Sequence, residues 1–196
     1  MNIKMKINLM PIKAYNGYLN WREKMDLSSK KLILALLYAP GLKGEKEPIE
    51  GITKVQKLIF LLTNKEFTDE IFYSISNELH YKPDNFGPFS DKLSDQIENL
   101  VDMQLVKKVR GKYPDLADEF NYYYSGEKIP DKFELTKYGE VLAKNIFEHL
   151  KEEEKKKISM IKKEFNSISL DALLSYVYNK SDKKEKKWFI KLDRDS

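Results

Sequence analysis

The chain of 196 residues has no cysteine. Disulfides, zinc–thiolate sites and cysteine nucleophiles are therefore excluded, and the composition suits an intracellular protein. Histidine is nearly absent as well. His80 and His149 are the two in the chain, far apart and without HxxxH or HExxH spacing, so no metal site is expected. Long apolar runs are also lacking. The longest, "LILALLYA", falls well short of the ~20 residues that a membrane span requires. The N-terminal "MNIKMKINLMPIK" has lysines but neither an apolar h-region nor a small-residue cleavage site, so no secretory signal is expected. No GxSxG elbow occurs. "GLKGEK" is too short for a phosphate-binding loop and lacks the Ser or Thr that must follow. These absences leave no catalytic residue, metal or cofactor to nominate, and the expectation is a protein that is not an enzyme, placed in the cytoplasm.

What is present is charge, apolar bulk and pattern. Hydrophobic residues make up 41% and aromatics 12%, enough for a substantial core. Net charge is +4 and unevenly spread: +4 over residues 1–30, −4 over 31–149 and +4 over 150–196. Basic ends of this kind can reach phosphates, or can lie against the acidic centre.

Along the chain, residues 1–27 read as a basic arm with aromatics but no clear period. "LSSKKLILALLYA" predicts a helix capped by Ser28 or Ser29 and stopped at Pro40-Gly41. "GLKGEKEPIEG" reads as a flexible loop. "ITKVQKLIFLLTNK" predicts a helix capped by Thr53. Val55, Leu58, Ile59 and Leu62 form its inward stripe, and Lys54, Lys57 and Lys65 point outward. The segment from Glu66 to Phe89 mixes helical and alternating signals. Ser90 caps the next helix, in which Leu93, Ile97, Leu100, Val101 and Gln104 share one side. "LVKKVRGKY" and "KFELT" predict a two-stranded hairpin around the polar, tyrosine-rich stretch 114–131. Thr136 caps the helix that follows. This order predicts a mainly α fold with a small β-hairpin, a winged helix-turn-helix over residues 28–150. Further C-terminal helices over 151–180 pack on it, and a charged tail runs over 181–196.

"GITKVQKLIFLL", "PDNFGPFSDKLSDQIENLVDMQLV", "FELTKYGEVLA" and "IKKEFNSISLDALLSYVYNK" together resemble the Panacea (SocA-like antitoxin) group, and more closely its YwgA-like and archaeal relatives. The similarity spans roughly residues 28–180, and its most specific pieces are "TKxQKLxFLL" and "FGPFS". The resemblance implies a non-enzymatic domain, often found beside toxins or mobile elements, that serves in some members as an antitoxin or proteolytic adaptor.

The helix after Ser90 decides between two kinds of partner. Its outward arc carries Asp91, Asp95, Glu98 and Asp102, with Lys92 and Gln96 on one flank. Four carboxylates between two phosphate rows would be repelled, and base readout is the work of Arg, Lys, Asn or Gln. An acidic face of this kind suits a basic protein partner, possible examples being a toxin or a neighbouring-gene product. Phe86 and Phe89 of "FGPFS" either plug the core at a rigid helix-entry turn or form an aromatic contact point. Tyr122, Tyr123 and Tyr124 offer stacking surface to a protein or to bases. DNA binding through the wing and arms stays open, with Lys54, Lys57, Lys107, Lys108, Arg110 and Lys112 as the candidate phosphate contacts. A homodimer through the C-terminal helices is a further expectation, since their apolar faces need cover.

Overall fold

The computed structural model describes residues 27–64, 67, 71–110 and 130–180. Among them are seven helices and three short strands: α1 (Ser29–Tyr38), β1 (Ile49–Glu50), α2 (Ile52–Thr63), α3 (Tyr73–Leu79), α4 (Asp91–Asp102), β2 (Val106–Val109), β3 (Lys132–Leu135), α5 (Lys137–His149), α6 (Glu152–Phe165) and α7 (Leu170–Lys180). The strands form one antiparallel sheet in the order β1-β3-β2. Phe133 lies opposite Ile49 on one side and Lys108 on the other.

Helix α1 is apolar on nearly every side and is buried from Lys31 to Leu37. A helix without a polar stripe must be enclosed by its neighbours. The other helices supply the cover, and the apolar side chains form one cluster reaching from Leu32 to Val177. Ser28 stands at the N-cap of α1 without a side-chain capping bond. The Ser29 hydroxyl donates instead to Glu78 Oε1 at 2.8 Å.

The "GLKGEKEPIEG" stretch contributes a strand, not only a loop, because Ile49 and Glu50 pair with β3. That pairing also moves the start of α2. Gly51, at φ 80°, takes the N-cap, and its N–H donates to the Asp131 carbonyl at 2.7 Å. Thr53 therefore lies inside the helix and does not cap it. The uncertain segment before the Phe turn resolves into α3, closed by His80 in the left-handed region at φ 50°.

Ser90 caps α4 as its sequence position implies, accepting from the Leu93 N–H at 3.0 Å. Leu93, Ile97 and Leu100 turn inward and are fully buried. Gln104 does not join them. It is exposed and adopts φ 58°, forming the sharp corner between α4 and β2. Thr136 holds that corner: its hydroxyl donates to the Gln104 carbonyl at 2.6 Å and accepts from Gly139 N–H at 3.0 Å. One side chain thus caps α5 and ties it to the end of α4. Gly139 allows this approach, since a Cβ there would collide with the Leu105 carbonyl.

Helices α6 and α7 place Ile158, Ile161, Phe165, Leu173 and Val177 in the common core. Their apolar faces are covered within the chain, so the reason given for a dimer falls away. Glu152 pairs with Lys155 at 2.8 Å, one turn along α6. No helix among the described residues is long and apolar enough to cross a membrane.

Candidate interaction surface

The two most specific pieces of sequence, "TKVQK" and "FGPFS", meet in space. The Gln56 amide clasps the backbone of Ser90 in both directions. Its Nε2 donates to the Ser90 carbonyl at 2.8 Å, and its Oε1 accepts from the Ser90 N–H at 3.1 Å. The same Nε2 donates to Ser94 Oγ at 2.9 Å. The adjacent Lys57 Nζ donates to the Pro88 carbonyl at 2.7 Å. From the other side, Lys82 and Phe89 exchange two backbone hydrogen bonds of 2.8 Å. Gly87, at φ 81°, closes the turn by donating to the Asp84 carbonyl at 2.9 Å. A conformation so closely specified displays its side chains with little freedom left to lose on binding.

The two phenylalanines of this turn have different fates. Phe89 is half-buried, whereas Phe86 is 55% exposed. Phe86 is thus an aromatic held out from a restrained turn beside the start of α4.

On α4, Asp91, Asp95, Glu98 and Asp102 are all exposed. Asp91 pairs with Lys82 at 2.5 Å and Glu98 with Lys108 at 3.3 Å. Asp95 and Asp102 have no ion-pair partner among the described residues. Gln96 departs from its expected outward position. It is buried, and its Nε2 donates to Glu78 Oε1 at 3.2 Å. Glu78 is partly buried, which opposes its charge, but bonds from Ser29, the nearby Lys92 and the Gln96 amide hold its carboxyl below the usual range.

The basic candidates divide sharply. Lys54 and Lys57 do not point outward, being 8% and 1% exposed. Lys54 Nζ donates to the Asn166 and Ile168 carbonyls at 3.1 and 2.8 Å, which ties α2 to the α6–α7 turn. Neither lysine has an amine free to meet a phosphate. Lys162, which the sequence reading did not single out, is fully buried too, and its Nζ donates to the Leu37 carbonyl at 2.8 Å. Burial pushes the Lys57 and Lys162 amines down to about 8, with partial opposition from Asp84 and Glu47 respectively. Burial also lowers Lys54.

Lys107, Lys108 and Arg110 are exposed on or just after β2. Lys107 pairs with Glu134 at 2.6 Å, and Lys108 with Glu98 and Asp131 at 3.3 and 3.5 Å. Lys65, Lys112, Tyr122, Tyr123 and Tyr124 lie outside the described residues. Beside β2 runs an open groove of about 970 Å³, lined by Val101, Val106, Tyr138 and Val141 together with Lys107 and Lys108. No cluster of three or more metal-ligating side chains occurs among the described residues.

Comparison with protein-family models, curated proteins and solved structures finds no match for this chain.

Proposed function

We propose that this chain is a non-enzymatic, cytoplasmic winged-helix protein that binds another protein, in the manner of an antitoxin or adaptor. The contact surface is the acidic face of α4 with Phe86. One observation carries the reading: α4 exposes Asp95 and Asp102 without an ion-pair partner among the described residues, on a helix that begins just after a restrained turn bearing an exposed aromatic. A basic partner would be steered by the carboxylates and anchored by the ring. The order α2, α3, α4, β2, β3, α5 supports the winged-helix assignment, with β1 as a third strand at the edge of the hairpin.

The burial of Lys54 and Lys57 weighs against duplex DNA as the principal partner. So does the pairing of Lys107 and Lys108 with carboxylates, since a phosphate would have to displace those partners. A regulator that holds DNA backbone through Lys107, Lys108 and Arg110 is the alternative, favoured by the exposure of all three.

Photo-crosslinking in cells separates the two. A benzophenone amino acid is placed at Asp95 in one chain and at Lys107 in another. Adducts at Asp95 that protease destroys and nuclease leaves intact, with a basic protein identified in them, support the proposal. Nuclease-sensitive adducts at Lys107, with none at Asp95, overturn it in favour of the regulator.

A further inference from the structure

The acidic face of α4 has a candidate occupant in the chain itself. Helix α7 ends at Lys180, and the Tyr178 hydroxyl lies 3.5 Å from the Asn85 carbonyl oxygen. The described end of α7 therefore lies on the side of the molecule that carries Asn85, the neighbour in sequence of Phe86. Residues 181–196, "SDKKEKKWFIKLDRDS", lie outside the described residues. They hold Lys183, Lys184, Lys186 and Lys187, and then the apolar group Trp188-Phe189-Ile190. The segment is net positive, with six basic and four acidic side chains. It joins a lysine cluster to an aromatic cluster, the complement of the unpaired Asp95 and Asp102 and of the exposed Phe86.

We infer that residues 181–196 dock in cis on Phe86 and the acidic face of α4, so that an external partner must displace the chain's own tail. The inference rests on the functional reading of that face given above. Reach does not limit it. Sixteen residues extend up to roughly 50 Å, whereas a twelve-residue helix is about 18 Å long. Affinity need not be high either. A short tether holds its end at an effective concentration in the millimolar range, so an intrinsic dissociation constant of about 1 mM already gives substantial occupancy. The lysines would supply a salt-sensitive term, and packing of Trp188 or Phe189 on Phe86 a salt-insensitive one.

Trp188 is a built-in reporter, because the chain has one other tryptophan, Trp21. The full chain labelled with 5-fluorotryptophan gives two fluorine resonances, and Trp188→Phe assigns them. The expected result is a Trp188 resonance displaced from its position in denaturing urea. Phe86→Ser, or Asp91→Lys with Asp95→Lys, moves it back, with roughly a tenfold loss of the docked population. Raising salt from about 50 to about 500 mM moves the unaltered chain in the same direction and requires no variant to fold. A Trp188 resonance already at its urea position overturns the inference, as does a displaced one that ignores both the variants and salt. A displacement that disappears on tenfold dilution overturns docking in cis in favour of a second copy. The two proposals fail separately. A crosslinked partner at Asp95 with Trp188 free removes only the tail contact. A docked Trp188 without any protein adduct removes only the functional reading.

Discussion

Replacing Lys57 by Met should make the pH dependence of folding measurably flatter. Lys57 is 1% exposed, and burial lowers its amine to about 8, against about 10.5 for a solvated lysine. Below pH 8 the amine is charged in both folded and unfolded chains, and the full cost of burying that charge is present. Between pH 8 and 10.5 the unfolded chain holds the proton while the folded chain releases it. Unfolding then takes up protons, so stability rises with pH across this window. At one pH unit per 1.36 kcal/mol, the gain between pH 7 and pH 10 is about 2 to 3 kcal/mol. Methionine has a similar length and no charge, so it lacks this gain. It also leaves the Pro88 carbonyl without its 2.7 Å partner, a penalty that does not vary with pH. The difference between the two chains therefore has a fixed offset and a predictable slope. Lys54 and Lys162, also lowered by burial, are the same in both chains and cancel. Urea unfolding followed by far-ultraviolet circular dichroism at pH 7, 8, 9 and 10 measures the slope. The unaltered chain should gain about 2 to 3 kcal/mol on the variant from pH 7 to pH 10. Parallel profiles, within about 0.5 kcal/mol, would show that the amine is solvated at neutral pH and would refute the reasoning.

Two other substitutions test the framework of the surface. Gln56→Ala removes the partner of the buried Ser90 N–H, while the Ser90 carbonyl keeps the Ser94 N–H at 3.2 Å, so one unsatisfied group should cost about 1–3 kcal/mol by urea unfolding. It should also broaden the amide resonances of residues 86–90, and sharp, unshifted resonances would count against the clasp. Gly139→Ala would stabilise an ordinary helix, but here the added methyl meets the Leu105 carbonyl. A loss of about 1–3 kcal/mol is expected instead, and a raised melting temperature would contradict the packing described.

Local capping rules were legible at two helices and not at two others. Ser90 and Thr136 each accept from an N–H three residues on, as their positions before apolar helices imply, whereas Ser28 makes no capping bond and Thr53 lies inside a helix capped by Gly51. The stripe of Leu93, Ile97 and Leu100 followed from spacing alone. Lys54, Lys57 and Lys162 were not legible, because hydropathy assigns a lysine to solvent while its fate depends on carbonyls far away in sequence. A signal was present nonetheless. Helix α2 has no acidic residue and almost no face free of large apolar side chains, so its lysines had little solvent-facing arc to occupy. Strand β1 was missed for a different reason: two residues cannot show a period. Gln104 has the spacing of a fifth position in the α4 stripe, but it is itself the left-handed residue just past the helix end. For the candidate surface, the acidic arc could be read from helical periodicity. The contrast between Phe86 and Phe89 could not, because it depends on a turn held by residues some thirty positions earlier.

The buried lysines also turn the molecule into its own stopwatch. An amine sealed among carbonyls cannot be acylated until its surroundings open, so its labelling rate reports that opening. Lys57 would time the Phe turn, Lys54 the joint between α2 and the α6–α7 turn, and Lys162 the contact of α6 with α1. The exposed lysines, such as Lys92 and Lys137, supply the unprotected rate in the same sample. Mass spectrometry of a single labelling series would then show whether these three seams part together or in sequence.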